Sequence, residues 1–290
     1  MYIEDGLLYI KPTLQDEALI VQDNVIDLIA EGLCTSAAYS DCVVSTNITN
    51  GTIVPPAKSG RVNTRPGASI AYGRVEVTAK IPKGDWLWPA IWLMPVTDTY
   101  GAWPASGEID IMESRGNNHS YVLGGNDVVS SALHWGPDPS ADAWAQSNNH
   151  KSALHHEFGD DFHTFGLEWT KDYLFTYVDT RLNQVFYNAF SQPLWGQGNF
   201  PFASINGTRY VDPWSQTGRK NTPFDQKFYL ILNVAVGGEN GWFLDGHDGK
   251  PWVDSSPTAR TDFWKARDQW HPTWGNEGMV VKRVRMWEQC

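Results

Sequence analysis

Glu108, Asp110 and Glu113 stand in the run Glu108-Ile109-Asp110-Ile111-Met112-Glu113, inside the stretch GAWPASGEIDIMESRGN. A strand that only fills a core has no use for three carboxylates among apolar neighbours. Carboxylates crowded on one sheet face repel one another, and the simplest relief is for at least one to hold a proton at neutral pH. Glycoside hydrolysis with retention needs that state: an ionised carboxylate attacks the anomeric carbon while a protonated carboxyl, roughly 5 to 5.5 Å away, donates to the leaving oxygen. Glu108 and Glu113 are the expected pair. Asp110 is expected to hydrogen-bond Glu108 and to couple its charge to Glu113 as the proton moves between steps.

The strand that carries them has to be irregular. In a regular strand Glu108, Asp110 and Met112 share one face, and Glu113 lies on the other with the isoleucines. A β-bulge near Ile111 or Met112 makes two residues count as one, returns Glu113 to the face of Glu108 and Asp110, and leaves the isoleucines for the core. Hard cations also take clustered oxygen ligands. No oxygen-rich loop of calcium-binding spacing surrounds these residues, however, and Ile, Ile and Met between them point to a strand. No metal is expected there. Asp245-Gly246-His247-Asp248-Gly249 is a polar turn that could hold a structural calcium ion, though a turn needs none, and His155-His156-Glu157 lacks the second histidine spacing of a zinc protease helix.

The chain has 290 residues, with Asp+Glu 33 against Lys+Arg 22 and a net charge of −11. Without a basic cluster to track phosphates, nucleic acid is not an expected ligand. Fifteen Trp and eleven Tyr offer flat apolar faces with polar edges, which suit sugar rings, although such residues also fill cores. No stretch of 18 apolar residues is present, so no membrane span is expected, and Met1-Tyr2-Ile3-Glu4-Asp5 is not a secretory signal. Cys34 and Cys42 could close a disulfide loop, which leaves Cys290 as a free thiol or a residue whose partner lies elsewhere. Asn47-Ile48-Thr49, Asn50-Gly51-Thr52, Asn118-His119-Ser120 and Asn206-Gly207-Thr208 are glycosylation sequons. Together with the cysteines they make a secreted, extracellular or cell-wall location the expectation, for a chain acting as a monomer.

Short β-rich runs separated by Gly, Pro, Asn or Asp recur throughout: GRVEVTAKIP, PAIWLMP, VSSALHW, HTFGLEW, LFTYVD, KFYLILNVAVGG and MVVKRVRMWE among them. This is an all-β rhythm, read as one sandwich domain over residues 1–290. Val75, Val77 and Ala79 alternate with Arg74, Glu76, Thr78 and Lys80, as in a strand with one wet face, whereas Phe228-Tyr229-Leu230-Ile231-Leu232 is continuously apolar and should be covered on both faces. The best helix candidate runs from Thr258 to Trp270, with Ser256 as N-cap and Pro257 at the first helical position. Residues 136 to 161 and 191 to 226 have neither hydrophobic period and read as long surface loops, of the kind that shape a groove.

Preceded by Trp103-Pro104-Ala105-Ser106-Gly107, the acidic run closely resembles glycoside hydrolase family 16, specifically its laminarinase-like endo-β-1,3-glucanases. The resemblance continues through SGRVNTRPGASIAYGRVEVTAKIP, LWPAIWLMP, SALHWGP, FHTFGLEWT, FYLILNVAVGG and the closing strand, and covers most of residues 57 to 288. It implies a β-jelly roll of two curved antiparallel sheets with the substrate cleft on the concave face, and no required cofactor. It implies Glu108 as nucleophile, Asp110 as its assisting carboxylate and Glu113 as acid/base. The residue added between Asp110 and Glu113 resembles the bulged signature of β-1,3-glucanases, which is also similar to that of agarases and carrageenases; the flanking WPASGE and ESRGN favour a β-glucan of the laminarin type.

By the same resemblance Trp103 should stack on a sugar near the cleavage point, Asn63 and Arg65 should hydrogen-bond donor-side glucose hydroxyls, and His134 should sit beside the acid/base. Trp242, on the glycine-rich loop Gly237-Gly238-Glu239-Asn240-Gly241-Trp242, could line the cleft. Each has a structural alternative: Trp103 as a cover on the core, Arg65 as a surface ion-pair partner, His134 as an interior histidine, Trp242 as a packing plug. The N-terminal LYIKPT and GLCTSAAY resemble the fungal and invertebrate branch related to glucan-recognition proteins, some of which bind glucan without cutting it and have lost catalytic carboxylates. In that family the domain begins somewhat earlier, which leaves room for a first strand or a trimmed precursor ahead of Met1. Three activities share the site: hydrolysis, transglycosylation with a second sugar in place of water, and glucan binding without chemistry.

Overall fold

Alternating apolar residues oblige a strand to bury one face, and two such sheets do so against each other. The computed structural model, which describes residues 1–289 apart from 23, 35, 37 and 48, has this form. Numbered along the chain, its sandwich strands are β1 (Tyr2–Glu4), β2 (Leu7–Ile10), β3 (Arg61–Asn63), β4 (Gly73–Lys80), β5 (Leu87–Pro95), β6 (Glu108–Ser114) and β7 (Val128–His134). They continue with β8 (Asn148–Ser152), β9 (His163–Trp169), β10 (Tyr173–Val178), β11 (Gln184–Ala189), β12 (Phe228–Val236) and β13 (Met279–Glu288). The back sheet has seven strands in the order β1-β2-β13-β4-β9-β10-β11, and the front sheet six in the order β8-β7-β6-β5-β12-β3. All pairings in both are antiparallel.

The core lies between the sheets. Val75, Val77 and Ala79 of β4 share one buried cluster with Ile91 and Leu93 of β5, Ile109, Ile111 and Met112 of β6, and Leu133 of β7. Phe228 to Leu232 of β12 are buried throughout, as their unbroken apolar run requires. Cys34 and Cys42 form the expected disulfide. Cys290, and the Ile48 inside the first sequon, lie outside the described residues. No helix among the described residues is long and apolar enough to cross a membrane.

The expected bulge is present in β6. Against β7, Glu108 pairs with His134, Asp110 with Ala132 and Glu113 with Ser130, with the register shifting between Asp110 and Glu113. Against β5, Asp110 pairs with Trp92 and Glu113 with Ala90. The partners on each neighbour are two residues apart, so the three carboxylates share one sheet face. Ile111 and Met112 are the doubled pair, and both are buried in the core. The bulge frees the Ile111 carbonyl from a regular ladder. Ser131 Oγ donates to that carbonyl at 2.7 Å, and Thr176 Oγ1, reaching across from β10 in the back sheet, donates to Ser131 Oγ at 2.7 Å. Both hydroxyls are buried, so this relay satisfies the bulge where water does not reach.

Two expectations are corrected. The helix begins at Ala259, after Thr258 rather than Ser256, and runs as Ala259–Lys265 and Arg267–Trp270. Ser256 Oγ accepts from the Thr258 N–H at 3.2 Å, a local turn that delays the helix and leaves Pro257 outside it. The two stretches read as surface loops are more ordered than their composition implies. Residues 136 to 161 contain β8, whose Asn-Asn-His-Lys-Ser shows no alternation because it is a sheet edge wet on both faces. Residues 191 to 226 send Phe200, Trp214 and Phe224 into the core.

Ser131→Ala is expected to destabilise the fold by about 1–3 kcal/mol, because the Ile111 carbonyl is left unpaired. Thr176→Val added to Ser131→Ala should cost less than the two substitutions measured separately. Equilibrium urea unfolding of both single variants and the double reads this coupling; strictly additive losses would contradict a relay that acts as one unit.

Candidate active site

Three acids on one face can fold only if the surroundings offset their repulsion, and each has been given a partner. Gly107, at φ +84, turns the chain into β6; a Cβ there would come within 3.0 Å of Phe224 and 3.1 Å of Pro223. Glu108 then accepts the Trp103 indole N–H at 2.7 Å, and Glu113 accepts the Trp88 indole N–H at 2.9 Å. Asp110 is buried, and its Oδ2 lies 3.2 Å from His134 Nε2, though off the line of a good hydrogen bond. On its other side His134 Nδ1 is 2.6 Å from Asp142 Oδ2.

These contacts fix the charge pattern. Burial pulls the His134 imidazole down, but the carboxylates of Asp110 and Asp142 and the charge of Glu108 push it up to about 11, so the ring is a cation at neutral pH. Burial pushes Glu108 well above the usual carboxylate range; Asp110 adds to this, while the imidazolium and the Trp103 N–H oppose it. Burial and then Asp110 push Glu113 up to about 8, with the Trp88 N–H opposing. Glu113 thus keeps its proton at neutral pH, as crowding predicts. The imidazolium stands nearer to Glu108, its partner in register, and so favours the anion at that end.

Two expectations about this cluster are revised. No hydrogen bond joins Asp110 to Glu108; Asp110 faces the imidazolium instead, which relieves two anions that could bond only by sharing a proton. His134 lies opposite Glu108 rather than beside Glu113. Glu108, Asp110 and His134 bring three ligand-type atoms within 4.8 Å of one another, and the protonated ring supplies positive charge to that space. In the turn at Asp245 to Gly249, the buried Lys250 ammonium donates to Phe243 O at 2.9 Å, to Asp245 at 2.5 Å and to Asp254.

The other expected residues separate into two groups. Trp103 is 36% exposed, its ring 5.6 Å from that of His134, so one of its faces looks onto the site. Asn63 pairs with Ile231, which pairs with Trp92, which pairs with Asp110; Asn63 therefore belongs to the same sheet face, three strands away. Its Oδ1 accepts the Arg65 N–H at 3.0 Å, and Arg65 itself donates to Val96 O at 3.0 Å and lies over Tyr229. Trp242 has the packing position: Trp88 stacks on it at 4.5 Å and 8°, and the Arg115 guanidinium sits 3.9 Å from its centroid. At those distances both groups cannot share one face, so neither face of Trp242 is free for a sugar.

Several residues of this face were not singled out from sequence. Trp92 donates to Asn233 Oδ1 at 2.6 Å, and Arg61 lies 4.7 Å over the Trp92 ring. Trp144, 48% exposed, is near-parallel to His134 at 6.4 Å. Trp88 and Trp92 were visible as same-face residues of LWPAIW; their neighbours depended on strand register, which a sequence does not carry.

The profile of Glycosyl hydrolases family 16 matches residues 32–222, more than half of the chain, and the chain belongs to that family. A Beta-1,3-glucan-binding protein of Penaeus monodon is 43% identical over 99% of this chain and 79% of its own length. Glucan endo-1,3-beta-glucosidase A1 of Niallia circulans is 36% identical over 71% of this chain and 25% of that protein. The laminarinase catalytic domain of Thermotoga maritima superposes with a TM-score of 0.58 at 22% identity, over 100% of this chain and 80% of that one, a likeness of fold: the β-jelly-roll sandwich.

Glu113 keeps its proton up to about 8 in the folded protein but would lose it near its ordinary value of 4.5 in the unfolded chain. Between those values the folded state binds more protons, so this contribution to stability falls as pH rises through the window. Glu113→Gln is expected to flatten that fall. Thermal unfolding of both proteins at pH 5 and pH 8.5 measures it; an equal drop in the two would contradict the assignment.

Proposed function

We propose that this chain is a retaining, endo-acting hydrolase of β-1,3-glucan. The observation that carries the reading is the β6 bulge, which returns Glu113 to the face of Glu108 while Asp110 sits between them in a protonated, crowded cluster. Glu113 protonates the departing glucosyl oxygen as Glu108 attacks the anomeric carbon, giving a glycosyl ester. Glu113, now a carboxylate, then takes a proton from water, which cleaves the ester with retained configuration. The imidazolium of His134, held by Asp110 and Asp142, lowers the cost of an anionic Glu108 before attack. Trp103, with its N–H on Glu108, offers its exposed face to the sugar being cut. The names of the glucosidase and glucan-binding relatives support a β-1,3-glucan ligand. The disulfide and the exposed Asn50, Asn118 and Asn206 support a secreted protein.

A second reading, glucan binding without cleavage, is favoured by the name of the 43% identical relative. Reducing-sugar release from laminarin separates the two. Under the hydrolase reading, Glu108→Ser loses on the order of 10³-fold or more in turnover while retaining laminarin affinity, and the first product of the unmodified protein is the β-anomer by proton NMR. Because the acid must be protonated, kcat/KM should fall as pH rises through about 8. Laminarin bound but never cut would establish the binding reading, and an α-anomeric first product would rule out retention.

A further inference from the structure

Glu113 has two carboxyl oxygens, and only a proton on the one facing the glycosidic oxygen is useful. Trp88 Nε1–H donates to Oε1 at 2.9 Å. An oxygen that accepts a hydrogen bond is the poorer place for a proton, so the indole directs the proton to Oε2. What holds the indole is therefore part of the chemistry. Trp88 is stacked nearly parallel on Trp242 at 4.5 Å, and the far face of Trp242 is covered by the Arg115 guanidinium at 3.9 Å. Arg115 also grips the Trp242 backbone, donating from Nε at 3.0 Å and from Nη2 at 2.9 Å to its carbonyl oxygen.

Arg115 lies two residues beyond Glu113 on the chain, just past the end of β6 at Ser114. The loop that carries Trp242 is thus tied to the strand that carries the acid. The Trp242 indole N–H is buried with no partner, so its orientation is set by the two stacked faces and not by a hydrogen bond of its own. Buried stacks of a guanidinium on indole are among the stronger cation–π contacts.

We propose that Arg115 and Trp242 are positioning residues for the acid/base: the stack Arg115–Trp242–Trp88 fixes the indole N–H on Glu113 Oε1 and so directs the catalytic proton to Oε2. The inference rests on the reading of Glu113 as acid/base. The charged and titratable groups around Glu113 are Asp110 and Glu108 on its own strand, Arg115 beyond it, His134 on β7, and His150 on β8 across Ser130. Tyr121 is the titratable neighbour of Arg115, with its ring 5.7 Å from the guanidinium.

The test compares two substrates of Arg115→Met, Trp88→Phe and Glu113→Gln. Laminari-oligosaccharides need a proton on the leaving oxygen; a 2,4-dinitrophenyl β-laminaribioside does not, and its kcat/KM reports only the attack by Glu108. Arg115→Met and Trp88→Phe are expected to lose roughly 10- to 100-fold in kcat/KM on the oligosaccharide and less than about 3-fold on the aryl glycoside, a weaker form of the Glu113→Gln pattern. Arg115→Lys, which keeps a cation over the ring, should recover part of the loss. Equal losses on both substrates, or none on either, would overturn the proposal. If the unmodified protein cuts neither substrate, the hydrolase reading fails by itself. The stack is then tested by carbon-13 NMR titration of the Glu113 carboxyl, whose midpoint should rise in Arg115→Met; an unchanged midpoint would overturn the stack's role.

Discussion

One extra residue in one strand governs this molecule. With Ile111 and Met112 counting as one, β6 aims Glu108, Asp110 and Glu113 to the same side, and that crowding both raises the glutamates' hold on a proton and is a cost to the fold. Left alone, one buried and two half-buried anions on one face would be untenable. The protein offsets them with groups that cannot act as bases in return: two indole N–H donors, an imidazolium clamped between Asp110 and Asp142, and a guanidinium behind a pair of stacked indoles. Each partner comes from a different segment, so the site forms only when the sheet and its loops have assembled.

The back sheet contributes more than cover. Thr176 of β10 reaches through the core to Ser131, and Ser131 holds the carbonyl that the bulge releases. A polar relay between two sheets is expensive in an apolar core unless every member is satisfied, and here the chain from Thr176 to Ile111 is. The irregularity is thereby specified by side chains on both sides of the sandwich, and the spacing of the acids is not left to the strand alone.

Much of this was legible in the sequence. The strand rhythm, the alternation in β4, the continuous burial of β12 and the bulge itself follow from residue types and the need to keep isoleucines out of water. What sequence did not yield depends on register and tertiary placement. Asp142 as the second clamp on His134 is eight residues along the chain and meets it only because the turn after β7 folds back. The edge strand β8 has no apolar residue to announce it, and the short helix Glu17–Val21 buries only Ile20. For Trp242 the glycine-rich loop left a cleft residue and a packing plug equally open; both of its faces are covered, which only the tertiary placement of Trp88 and Arg115 decides.

In the proposed reaction Glu108 becomes covalently attached to sugar while Glu113 handles the proton. A slow-turnover 2-deoxy-2-fluoro laminaribiosyl fluoride, incubated with the protein and followed by intact mass and peptide mapping, tests it most directly. A stable adduct of one fluoroglycosyl group on the peptide that contains Glu108 is expected. An adduct on Glu113, or steady hydrolysis of laminarin with no adduct formed, would contradict it.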